Sequence, residues 1–214
     1  VGFRAGHAAL LGPRAAPFHT PLAPGDAWFG IRFRPGAVRA FLQLPRALRL
    51  RDALIPAHEI EALRWLLPLA YAEGDARVAR ADYMLRARAA NATPADRLVA
   101  AAIEAIISAP DTVSVAVLAQ ALGLSERQLR RRFTAAVDLS PKEFAAIWRF
   151  RLCASDRVGR SGESWAALAA AHGFADQSHL VRECRRLFGM TPSQCERHLA
   201  VIEHRALNFP RRDS

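Results

Sequence analysis

Residues 165–197, WAALAAAHGFADQSHLVRECRRLFGMTPSQCER, read as a short apolar helix, a glycine turn, a second helix that is polar at its start, and a Gly-Met-Thr-Pro break. The same plan occurs earlier, in residues 115–145, VAVLAQALGLSERQLRRRFTAAVDLSPKEFA. Leu118-Ala119 corresponds to Leu168-Ala169, Gly123 to Gly173, Leu129 to Leu180, and Ser140-Pro141 to Thr191-Pro192. The offset is 50 residues at the glycines and 51 at the prolines, so the second copy carries one extra residue in its second turn. A unit of about fifty residues written twice is an internal repeat, and it frames the reading of every residue inside it.

Each copy has the markings of a helix-turn-helix. Gly123 and Gly173 follow an apolar helical run, at a position that needs positive φ and that glycine fills without a Cβ clash. A turn of three or four residues then re-aims the chain. Ser125-Glu126-Arg127-Gln128 has the form of a capping box, with Ser at the N-cap and Gln three residues on, and Asp176 caps the equivalent helix alone. Ser140-Pro141-Lys142-Glu143 and Thr191-Pro192-Ser193-Gln194 are two further boxes, each with Pro at the first helical position.

The second helix of each copy divides into two faces. Leu129 and Phe133 are i, i+4 neighbours that face a core, which leaves Arg127, Gln128, Arg130 and Arg131 on the outer surface. In the second copy Leu180 and Cys184 point inward, and Gln177, Ser178, His179 and Arg182 point out. Arg and Gln form bidentate pairs with guanine and adenine edges in the major groove. Arg132, Lys142, Arg185 and Arg186 extend the basic surface and suit phosphates, which position a protein without reading sequence. An arbitrary arginine-bearing helix is merely solvated. The glycine turn, the caps and the repetition reverse that reading here.

Residues 173–197, GFADQSHLVRECRRLFGMTPSQCER, resemble the signature of the arabinose-regulator (AraC/XylS) family of bacterial transcription factors, and residues 118–144 resemble the first helix-turn-helix of that family. The resemblance covers roughly Thr93 to Arg205. It implies a mainly α protein with two three-helix units joined by a long helix, here Pro141–Ser155, that holds both recognition helices against one side of a DNA duplex. Carried over by position, it makes Arg127, Gln128, Arg130 and Arg131 the first set of DNA contacts and Gln177, Ser178, His179 and Arg182 the second. Two departures stand out. Cys184 occupies a core place where the family usually has Phe, leaving a void or a repacked neighbour. Asp138 replaces the usual glycine after the first recognition helix, so a left-handed residue is expected there with some strain.

Three regions follow: an N-terminal regulatory or dimerisation region over residues 1–92, small, α+β and, unless it borrows an edge from a partner, truncated at its front; the double helix-turn-helix over 93–205; and a tail over 206–214. In residues 1–57 turn signals cluster at Gly12-Pro13, Pro17, Pro21, Pro24-Gly25 and Pro35-Gly36. Residues 28–33, WFGIRF, are the best strand candidate and His7–Leu11 a second, and residues 36–42 read as a short helix. Two strands do not make a stable sheet alone, so the region either lacks upstream strands or borrows an edge. GIRFRPGAVRAFL (30–42) resembles the closing part of the β-rich regulatory domain often found ahead of such DNA-binding units. Helices follow over 58–72, through Ile60, Leu63, Leu66 or Leu67, and Ala70, and from Gly74 to about Ala90. They either pair two subunits or cover the front region. Thr93 and Pro94 read as the cap and first residue of the next helix, which runs to Ser108, and Ser114 caps the one after. Pro210 ends the last helix, and Arg211-Arg212 fall in the tail.

The net charge of +10 favours an anionic partner. Lys142 is the only lysine among the 30 basic residues, a bias that reflects genome composition as much as DNA binding. There are 14 basic against 9 acidic residues before Pro110 and 16 against 11 after it, so clustering on two helices, and not total charge, locates the site. No run reaches the ~18 apolar residues of a membrane span, and the first residues lack a signal-peptide core. Cys153, Cys184 and Cys195 form no CxxC pair and read as buried thiols of a cytoplasmic protein.

Catalysis is not expected. His7, His19 and His58 lack paired carboxylates or metal-ligand spacing, His172, His179, His198 and His204 are scattered, and GxSxG, HExxH and phosphate-loop motifs are missing. No cofactor or metal is expected. The implied partner is double-stranded DNA; the family resemblance adds a small-molecule effector at the N-terminal region, a homodimer, and RNA polymerase for an activator. The alternative is a helical module whose basic helices bind an acidic protein.

Overall fold

The structure, a computed structural model, describes residues 1–4, 6–17, 28–159 and 162–203. The expected features at His19, His204, Pro210 and Arg211-Arg212, and the turns at Pro21 and Pro24-Gly25, lie outside the described residues.

The N-terminal region builds one antiparallel sheet from β1 (Gly2–Arg4), β2 (His7–Leu11), β3 (Phe29–Gly30) and β4 (Leu54–Pro56), in the order β3-β1-β2-β4. Phe3 pairs with Ala8 on one side and Phe29 on the other, and Leu10 pairs with Ile55. The expected two strands are therefore four. Of the 28–33 candidate only Phe29–Gly30 is strand, although the Ile31 N–H continues the ladder to the Val1 carbonyl at 2.8 Å. β1 and β4 are three residues long, too short for alternation to stand out, and β4 ends on a proline that only an edge strand tolerates.

Helix α1 (Val38–Leu42) follows β3, as the residues predict. Residues 57–70 differ from expectation: they form 3₁₀ turns over Ala57–Glu59 and Glu61–Ala70. Ile60, Leu63, Leu66 and Leu69 recur every three residues and all are buried, which is the period of a 3₁₀ helix and not 3.6. Pro68 contributes no N–H, so an α-helical ladder would be broken there in any case. These leucines close a core with Phe3, Leu10, Leu42 and Leu50, and α2 (Gly74–Ala89) lays Ala81 against it.

Every regular element among the described residues of the C-terminal half is a helix. α3 (Arg97–Ser108), α4 (Val115–Ala121) and α5 (Glu126–Val137) form the first unit; α7 (Trp165–Ala171), α8 (Gln177–Phe188) and α9 (Pro192–Glu203) form the second. The cap of α3 corrects the expectation at Thr93-Pro94: Asp96 accepts the N–H groups of Leu98 and Val99, and the helix opens at Arg97. A carboxylate three residues closer to the apolar run satisfies two free donors where Thr93 would satisfy one. The remaining starts are as read. Ser114 caps α4, and Ser125 and Gln128 form a reciprocal box at α5; the Ser164 cap of α7 is one that the sequence reading did not single out.

The long helix α6 (Pro141–Gly159) is four residues longer than expected and joins two cores. Phe144 and Ala145 pack with Ile106, Leu129 and Phe133 of the first unit. Phe150, Cys153 and Ala154, two turns on, pack with Leu168, Phe174, Leu180 and Cys184 of the second. Both recognition helices are thus seated on one rod.

Candidate nucleic-acid interface

In each unit a glycine sets the angle between the paired helices. Gly123 has φ +66° and Gly173 φ +67°, the left-handed region that only glycine enters freely. The next helix then projects from the turn with its first residues in solvent. Arg127, Gln128, Arg130 and Arg131 are exposed on α5 while Leu129 and Phe133 are fully buried beneath them. On α8, Gln177, Ser178, Arg182 and Arg185 are exposed above buried Leu180 and Cys184. With Val181 these four line a shallow open hollow of about 320 Å³ on the outer face.

The side chains are not equally free. Gln128 accepts the Ser125 N–H at 2.8 Å, so its carbonyl is committed to the cap and only its amide hydrogens remain. Arg130 meets Glu126 at 3.0 Å with both half exposed, a pair worth little in water. Arg132 is held at 2.8 Å by Asp96, the cap of α3. Burial alone would raise the Asp96 pKa, but Arg132 and the α3 N–H groups together hold it below the usual range. Arg186 is bound at two points by Glu183, at 3.0 and 2.7 Å. That hydrogen bond, with the charges of Arg186 and Arg149, keeps the Glu183 carboxyl low against the cost of burial. Arg127, Arg131, Lys142, Arg182 and Arg185 have no ion pair among the described residues. Of the expected phosphate contacts, Lys142 and Arg185 are therefore free, and Arg132 and Arg186 already serve the fold.

His179 is half-buried and has a structural task that sequence reasoning missed. Its Nδ1 accepts the Ala175 N–H at 3.2 Å, while its own N–H goes to Asp176 at 2.6 Å. Arg149 was also missed. It lies on α6, 24 residues before the Gly173 carbonyl it binds, and no local pattern marks it.

The cysteines are all buried and reduced. Burial pushes the Cys153 thiol up to about 12, with Asp156 adding. The contact with Cys195 raises the Cys184 thiol, and the same contact lowers that of Cys195. No group of three metal-ligating side chains and no helix long and apolar enough to cross a membrane occur among the described residues.

Two helix-turn-helix units share one connecting helix, and known proteins show what this arrangement is similar to. Residues 118–198 match the family model described as a helix-turn-helix domain. A curated protein of Streptomyces antibioticus, carried under an AraC-like transcription-regulator name, is 35% identical over 106 residues, covering 49% of this chain and 34% of that one. The match thus spans about a third of that relative's length. Among solved structures, a transcriptional regulator with an AraC-type DNA-binding domain from Chromobacterium violaceum is similar at 21% identity and a TM-score of 0.45, over 49% of this chain and 93% of that one. The C-terminal domain of AraT, a response regulator from Geobacillus stearothermophilus, gives 17% and 0.44 over 48% and 86%. Residues 118–198 are a helix-turn-helix domain, and the curated relative that they resemble is an AraC-like regulator by name.

Proposed function

We propose that the chain is a sequence-specific DNA-binding regulator of transcription, in which α5 and α8 read successive major-groove segments about one helical turn (~34 Å) apart. The observation that carries this reading is the exposed, unpaired set on two matched helices: Arg127 and Arg131 on α5, and Gln177, Ser178, Arg182 and Arg185 on α8. Because the units are a direct repeat in one chain, the site they read is asymmetric. Arg182 is the strongest base reader, and Lys142 and Arg185 hold phosphates. The domain spans residues 93–205, behind an N-terminal region over 1–92. The family resemblance extends the proposal to a small-molecule effector at that region, a homodimer, RNA polymerase for an activator, and a cytoplasmic, non-enzymatic role.

Selection from random duplex DNA tests the reading. The expected result is an asymmetric consensus bound with an affinity that falls steeply with salt. Arg182→Ala should relax preference at one base pair by ~1–3 kcal/mol. Equal affinity for all duplexes would sink the proposal in favour of an acidic protein partner.

A further inference from the structure

Arg149 and Phe174 lie outside both recognition helices, yet their contacts converge on a residue of the second. The Arg149 guanidinium sits 4.7 Å from the centre of the Phe174 ring and donates from Nη1 to the Gly173 carbonyl at 3.3 Å. Phe174 is buried, and its ring meets the His179 imidazole at 5.5 Å and 77°. The third support is the Ala175 N–H, which donates to His179 Nδ1. A backbone N–H cannot accept, so Nδ1 carries no proton and the neutral ring carries its one proton on Nε2. Nε2 has no partner among the described residues.

We infer that His179 is a specificity-determining residue that recognises guanine by donating Nε2–H to its major-groove edge, and that Arg149 is the positioning residue that fixes the ring through Phe174. The inference rests on the DNA-reading function proposed above. An unsupported histidine offers either nitrogen, as donor or acceptor, to either neighbour. The Ala175 bond removes that choice, and the Phe174 contact removes the rotation. What remains is one donor of fixed direction. Guanine presents N7 and O6, two adjacent acceptors with no donor beside them. Adenine sets its amino donor next to N7, cytosine presents a donor, and thymine crowds O4 with a methyl group. A lone fixed donor therefore favours guanine.

The competing role for His179 is the second arm of the α8 cap and nothing more, and paired amide substitutions separate the two. In His179→Asn the amide takes the place of Nδ1, so the cap is kept and the outward donor lost. In His179→Gln the amide reaches the place of Nε2, so the donor is kept and the cap lost. With the full chain and the duplex selected by the wild type, His179→Asn should lose guanine preference at one base pair by about tenfold, equivalent to about 1.4 kcal/mol. Preference at the other base pairs should stay, and His179→Gln should retain part of the guanine preference. Arg149→Lys should weaken preference at that same base pair and no other. Replacing that guanine by 7-deazaguanine should weaken the wild type and leave His179→Asn indifferent, a readout that does not depend on how well any variant folds when taken on the wild type alone. Unchanged guanine preference in His179→Asn, or a loss spread evenly over every base pair, would overturn the inference while leaving the DNA-reading function in place. A wild type with no preference at all would instead remove that function.

Discussion

Arg39 of α1 donates from Nε to Asp138 Oδ2 at 2.8 Å, so the N-terminal region grips the residue that ends the first recognition helix. Asp138 is buried, has φ +60°, and also accepts the Leu50 N–H through Oδ1 at 3.3 Å. Two effects oppose each other at this position. A non-glycine residue in the left-handed region costs about 1–2 kcal/mol, so glycine would relieve strain. Removing one partner of a buried ion pair costs about 3–5 kcal/mol, because the other charge stays behind. The second is larger, so Asp138→Gly should destabilise the chain by about 2 kcal/mol in spite of the better backbone. Arg39→Met should cost more, since it strands the acid with strain unrelieved. The double variant should be less destabilised than the two losses added together. Denaturant melts of the four proteins check this, and strict additivity would mean that the pair is not coupled.

A second link between the regions predicts behaviour in acid. Arg51 lies 2.6 Å from Glu143, the box residue of α6. Burial would push the Glu143 carboxyl up, but the Ser140 N–H and hydroxyl and the Arg51 charge hold it below its ordinary value of 4.5. A carboxyl whose pKa is lower in the folded chain than in the unfolded one adds stability above the unfolded value and loses it as pH falls through the folded one. Glu143→Gln should therefore melt earlier than wild type at neutral pH, with the two curves converging as the pH falls from the ordinary carboxyl value of 4.5 to below the lowered one. Parallel curves across that range would assign the acid sensitivity to other groups, Asp96 among them.

These two links also show where the sequence is silent. The helix starts at Ser114, Ser125, Ser140, Asp176 and Thr191 were legible because a cap and its partner lie three residues apart. So were the glycine turns and the inward faces of α5 and α8, whose periods are local. Arg39 and Asp138 are 99 residues apart, and only the tertiary fold brings them together. The segment after β2 is similar: Ala15 is buried in the core of the first helical unit, and Pro17 lies where a side chain on Gly189 would point. The strands β1 and β4 were missed for a different reason, since three residues carry too little pattern to separate a strand from a loop. At the site itself, the outward residues were readable, but which of them are already spoken for was not. That Asp96, 36 residues away, holds Arg132 while Arg182 has no ion pair among the described residues depends on neighbours, not on residue type.

Cys184 shows how the core of the second unit is filled around a small side chain. The sequence resemblance leads one to expect Phe there, yet the thiol is fully buried and its Sγ lies 3.4 Å from Cys195 Sγ. The neighbouring thiol packs directly against it. Cys184→Phe should therefore overpack the core between α8 and α9 and cost about 1–3 kcal/mol. Cys195→Ala added to it should recover part of that loss, which additive effects would not do. If Cys184→Phe were as stable as wild type, the space would have been empty after all. Thermal melts in the presence of reductant settle the matter.

The repeat supplies an internal control for the cost of a turn. Gly123 and Gly173 have the same φ to within a degree, at the same place in matched motifs. Their surroundings differ. A Cβ built on Gly123 meets nothing within 4 Å, whereas one on Gly173 lies 2.8 Å from Asp111 Cβ. Gly123→Ala should therefore show backbone strain alone, about 1–2 kcal/mol. Gly173→Ala carries the same strain plus a contact that the side chain of Asp111 cannot avoid by rotating, because its Cβ is fixed to the backbone. It should be the more damaging of the two, and pairing it with Asp111→Gly should return the cost to that of Gly123→Ala. Equal losses from the two single variants would show that the 110–113 loop gives way freely, and that it does not brace the second turn.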